Sequence, residues 1–83
     1  MEHSERCMWV THLVTVWLEN DRPWAEKAWK MADQEAAFAL LFTRVLRTAP
    51  FGSAAWHANQ QLAPADYARI DWDDVRASFL VEE

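Results

Sequence analysis

Glycine occurs once in these 83 residues, at Gly52. Phosphate-cradling loops of the P-loop and dinucleotide types need several closely spaced glycines, so nucleotide-binding enzymes of those classes are excluded. Cysteine also occurs once, at Cys7. A chain with one cysteine makes no internal disulfide, and a domain this small must then rely on its core or on a partner. The expected compartment is reducing and cytoplasmic. Cations are few: eight Lys and Arg stand against 13 Asp and Glu, for a net charge of −5. Binding to nucleic acid draws mainly on cationic neutralisation of phosphates, so direct nucleic-acid binding is not expected. No apolar run reaches the length of about 18 residues that a membrane span requires, and the opening MEHSER carries both charge signs without the apolar stretch of a signal segment. A soluble chain with no membrane partner is the expectation.

Tryptophan is what the chain has in excess, with six residues at 9, 17, 24, 29, 56 and 72. Six indoles are hard to bury completely in one small core, because each is large and carries an N–H that needs a partner. Two readings follow. In one, all six are core anchors that compensate for small size. In the other, some indole faces form a binding surface, where exposed Trp is enriched. Hydrophobic residues at 52% supply a core for a single domain over 1–83.

The pattern is helical and well punctuated. Thr11, Thr15 and Glu19 recur every four residues, opposite Trp9, Val10, Leu13, Val14 and Trp17, so a helix capped by Ser4 runs to about Glu19. The β-branched density there leaves a strand at 9–18 as the alternative. Asp21 caps a second helix, with Pro23 tolerated in its first turn. Its apolar positions span an arc of about 160° with Trp24 and Trp29 near opposite edges, so both should be partly exposed. Continued to Arg47 that helix would be about 37 Å long, more than a body of this size accommodates, and a break is expected at Ala32-Asp33-Gln34-Glu35 with Asp33 as the new cap. Phe38 to Leu46 then reads as a central core helix, apolar on nearly all sides and closed by Pro50 and Gly52. Ser53 caps a short helix that ends at Ala63-Pro64, a turn passes through Asp66-Tyr67, and Asp71 caps a last helix with Trp72, Val75, Phe79 and Leu80 as its apolar stripe. The expected fold is all-α, a compact bundle of four to five short helices.

Charge is uneven along the chain. Residues 62–83 hold Asp66, Asp71, Asp73, Asp74, Glu82 and Glu83 against Arg69 and Arg76, so four of the five excess negative charges lie in the last quarter. Capping and dipole chemistry accounts for Asp71, Asp73 and Asp74, yet capping does not neutralise them and their field still projects outward. Chemistry is thin elsewhere. His3 and Cys7 share a helix side but supply two ligands where a structural zinc site wants four. Cys7 with His12 or His57 has no orienting third group, and the adjacent Asp73 and Asp74 diverge by about 100° on a helix. No enzyme activity, cofactor or metal is expected.

The stretch Leu13-Val14-Thr15-Val16-Trp17-Leu18-Glu19-Asn20-Asp21 resembles the Trp-Leu-x-Asn-Asp segment of small phage and plasmid proteins, where it likewise lies near the N-terminus. That family's preceding Asn-Tyr-x-Thr-Trp and following Glu-Gly-Leu-Tyr are absent here, and Arg22-Pro23-Trp24 follows instead. The resemblance implies a mobile-element origin, and small acidic proteins of such elements include anti-CRISPR and anti-restriction inhibitors of host defence. The expected function is accordingly a small acidic protein-binding inhibitor whose partner is a basic host protein or protein–nucleic-acid complex. The expected partner-binding residues are Asp66, Tyr67, Asp71, Trp72, Asp73, Asp74, Trp24 and Trp29. The alternative is a homodimeric structural or regulatory module that buries its Trp edges against a second copy.

Overall fold

A computed structural model describes the backbone of residues 2–80 and the side chains of residues 5–80. The helices are α1 (Glu2–Asn20), α2 (Arg22–Met31), α3 (Glu35–Arg47), α4 (Ala54–Gln60) and α5 (Trp72–Ala77), with a 3₁₀ helix at Pro64–Arg69 between the last two. The fold is all-α. Helices α2, α4 and α5 each pack on both α1 and α3, and the 3₁₀ helix packs on α1. The Cα radius of gyration is 12.1 Å.

The segment 9–18 is helix throughout, not strand. Val10, Val14, Trp17 and Leu18 fall at i, i+4, i+7 and i+8, so their β-branching is outweighed by a single stripe that buries all four. Trp9 departs from the expected apolar side: it is 43% exposed, with the Arg6 guanidinium 4.5 Å above its ring. Ser4 lies inside α1, whose first residue is Glu2, so it is not the cap. His3, Glu82 and Glu83, named in the sequence reading, lie outside the described side chains.

Asp21 is the N-cap of α2, but its carboxylate accepts from the Trp17 indole Nε1 at 3.1 Å rather than from a helix amide. The break between α2 and α3 falls where chain length demanded it. Its cap is Gln34 and not Asp33, because Asp33 lies in the turn closed by the Gln34 N–H to the Met31 carbonyl, and the first helical bond, from the Phe38 N–H to the Gln34 carbonyl, starts one residue later. Ser53 and Asp71 cap as expected, accepting from the Trp56 and Asp74 amides. Gly52 takes φ +85° in the turn after α3, a conformation open to glycine without strain.

Helix α3 buries Phe38, Phe42 and Leu46 completely. Phe42 sits at the centre of an aromatic cluster, 4.8 Å from Phe38 and edge-on to Trp17 at 6.1 Å and Trp24 at 5.9 Å. The helix is not buried on all its apolar sides, however. Leu40 is 65% exposed, and Ala36 and Ala37 also face outward, so one face of α3 has no covering element.

Two polar connections between distant parts of the chain lock α1 to the C-terminal third. Asp66 has no exposed surface and accepts four hydrogen bonds: from Arg6 Nε at 3.0 Å and Nη2 at 2.5 Å, from Arg69 Nη1 at 2.9 Å and from the Ala63 amide at 2.8 Å. The Arg6 bonds lead the Ala63 amide in holding its carboxyl far below the usual carboxylate range, against the opposing push of desolvation. Thr11, also buried, accepts from the Asp71 amide at 2.9 Å. Arg76 makes a third link, donating at 2.6 Å to the carbonyl of Ala32, the C-cap residue of α2. It also pairs with Asp73 at 2.9 Å and with Glu35 at 3.5 Å.

Candidate functional site

The eight expected partner residues do not share one surface. Asp66 is corrected outright: it is buried and fully paired, so it presents no charge outward and serves as an internal anchor for two arginines. Tyr67 is half-buried, its hydroxyl donating to Asn59 Oδ1 and its ring lying 4.4 Å below the Arg47 guanidinium. Burial raises the Tyr67 pKa against the opposing charge of Arg47. Trp72 is half-buried with its ring 6.1 Å from Phe38, and Trp24 is half-buried against Phe42. These three aromatics pack against the core and remain partly exposed. Trp29 differs, being 67% exposed.

Asp71, Asp73 and Asp74 are exposed. They stand outward because Val75 of α5 and Phe79 just after it turn inward, leaving the first turn of that short helix at the rim. Asp73 is engaged by Arg76, whereas Asp71 and Asp74 have no ion-pair partner among the described residues.

The structure joins Asp74 to Trp29 through a groove that residue spacing did not disclose. One half, of about 470 Å³, runs between α1 and α5, with Met8, His12 and Thr15 on one wall and Asp74, Ala77 and Ser78 on the other. The second half, of about 520 Å³, continues between the end of α1 and α2, lined by Glu19, Ala25, Glu26 and Trp29 and meeting the first at Ser78. Met8, at 71% exposure, and Trp29 are large exposed apolar side chains that line its two halves. Three carboxylates line it, those of Glu19, Glu26 and Asp74. Its one fixed cation, Arg22, already lies 3.9 Å from Glu26. Met8 and Glu19 were missed from the sequence; Met8 had no signal beyond an apolar residue on the polar flank of α1.

No family model, curated protein or solved structure matches the chain.

The remaining chemistry-bearing residues stay apart. Cys7 and His12 lie five positions apart on α1, which separates them by about 140° around the helix. His57 sits on α4, 5.0 Å from the Trp56 ring. No group of three or more His, Cys, Asp and Glu among the described residues is placed to hold a metal ion. No helix among them is long and apolar enough to cross a membrane.

Proposed function

We propose that the protein is a stoichiometric inhibitor that occupies a basic, nucleic-acid-binding surface of another protein, in the manner of an anti-CRISPR or anti-restriction protein. The observation that carries this reading is the groove from Met8 to Trp29, in which Glu19 and Asp74, without ion-pair partners among the described residues, lie with the large exposed side chains of Met8 and Trp29. Its physics suits a cationic partner. Long-range attraction from Asp71, Asp74 and Glu19 raises the encounter rate, and desolvation of Met8 and Trp29 holds the complex after encounter. An arginine or lysine of the partner, once in the groove, finds carboxylate acceptors beside an indole face, the combination that recognises a guanidinium or ammonium group. The same groove repels nucleic acid itself, so the inhibitor displaces the nucleic acid from its partner and does not follow it.

Homodimerisation through Trp29 is the competing reading, and sedimentation across a concentration series separates the two. A monomer at all concentrations supports a groove that takes a different protein. A dimer that dissociates on Trp29→Ala overturns it.

A further inference from the structure

Helix α2 divides the acidic groove from a second groove of opposite character. While Trp29 faces the first, Trp24 and Lys27 face the second, which runs along the uncovered side of α3. Ala37, Leu40, Leu41, Arg44, Val45 and Thr48 recur there at i, i+3, i+4, i+7, i+8 and i+11. They form a continuous helical stripe about 16 Å long. The groove has two parts, of about 390 and 520 Å³, which meet at Leu41 and Arg44.

The charge of this groove runs against that of the whole molecule. Three of the eight cations are already committed, Arg6 and Arg69 to the buried Asp66 and Arg76 to the exposed Asp73. Lys27 and Arg44 belong to no ion pair among the described residues, and no acid lines the part of the groove they share. Asp21 lies at the far end, its carboxylate engaged by the Trp17 indole. Between these cations Leu40 is largely exposed. A chain with a net charge of −5 thus presents an apolar helix face flanked by two free cations.

We propose that this groove docks an acidic amphipathic helix of a partner protein, about three turns long. Apolar anchors at i, i+3 or i+4 and i+7 of that helix sit against Leu40, Leu41 and Trp24, and its flanking carboxylates meet Lys27 and Arg44. A nucleic acid fits less well, since two cations neutralise few phosphates and the apolar stripe offers the backbone nothing. This site is independent of the acidic groove, and the protein can engage a basic surface and an acidic helix at once.

The test uses the full chain and two synthetic amphipathic peptides of about 16 residues, identical in their apolar positions. One carries Glu and the other Lys at the flanks, and a short duplex DNA serves as the third probe. Fluorescence anisotropy is read at low and high salt. The Glu peptide is expected to bind about tenfold tighter than the Lys peptide at low salt, with the gap closing as salt screens the pairs. Lys27→Glu with Arg44→Glu is expected to reverse the preference, and Leu40→Asp to abolish binding of the Glu peptide with the circular dichroism spectrum unchanged. Trp29→Ala is expected to leave Glu-peptide binding untouched, which separates this site from the acidic groove. Absence of Glu-peptide binding, a preference that survives the double charge reversal, or DNA binding that is lost on Arg44→Glu would overturn the proposal.

Discussion

Truncation of Phe42 to Ala tests the core most sharply. The side chain has no exposed surface and is gripped on three sides by rings, those of Phe38, Trp17 and Trp24. Phe to Ala in a core costs about 3–5 kcal/mol through lost transfer energy and the cavity left behind. Three ring pairs, each contributing about 0.5–1.5 kcal/mol beyond area, place this site in the upper half of that range, at about 4–5 kcal/mol. Total stability for a chain of this size is about 4–12 kcal/mol, so Phe42→Ala removes from about a third to all of it. Phe42→Leu keeps most of the volume and should cost about 1–2 kcal/mol, lowering Tm by about 5–15 °C. Urea titrations followed by tryptophan fluorescence and by circular dichroism give both numbers, with Leu40→Ala on the exposed face of the same helix as a control expected within about 0.5 kcal/mol of the parent. A cost below about 1 kcal/mol for Phe42→Ala, or an equal cost for Leu40→Ala, would refute the assignment of the core.

Asp66→Asn should destabilise most near neutral pH. The native carboxylate is held far below its ordinary value near 4, so its contribution is fully present above that value and drains away as pH falls below it. The gap in urea midpoint between parent and variant should therefore narrow between pH 4 and pH 2.5, and a gap constant over that window would contradict the buried pairing. Thr11→Val removes the acceptor of the Asp71 amide and should cost about 1 kcal/mol by the same urea assay, low in the range because Asp71 itself is exposed. Trp29→Ala should leave stability within about 0.5 kcal/mol in thermal melts, since the indole is largely in solvent; a larger loss would place Trp29 in the core.

What could be read from the sequence and what could not divide along contact range. Asp21, Ser53 and Asp71 were legible as helix starts because a cap is decided by residues three or four positions away, and Phe38, Phe42 and Leu46 because their spacing alone defines a stripe. Asp66 was read as a surface acid because its burial depends on Arg6, 60 positions upstream, and no local pattern marks such a pair. Thr11 misled for the same reason: it looks like the polar side of α1 until Asp71 is brought against it. Trp24 and Trp29 were placed correctly at the edges of the α2 face, but which of them faced solvent depended on Phe42 being there to receive Trp24. The uncovered side of α3 was hidden by composition, because an apolar run reads as buried on every side whether or not the chain has enough elements to cover it. Of the acidic groove, Asp74 and Trp29 were legible singly, whereas their connection through Ser78 is a product of tertiary packing.

The central claim is that the acidic groove binds a basic protein surface in competition with nucleic acid. Its most direct measurement is affinity capture from a candidate host on immobilised parent protein, run beside the Glu19→Gln, Asp74→Asn double variant and Trp29→Ala. The captured protein is then assayed for nucleic-acid binding with and without the parent protein. The expected result is a basic protein retained by the parent and released by salt, slower association with the double variant, faster dissociation from Trp29→Ala, and loss of the partner's nucleic-acid binding at a one-to-one ratio of the parent protein. A captured partner that binds all three forms alike, or that keeps its nucleic acid when saturated with the parent protein, would contradict it.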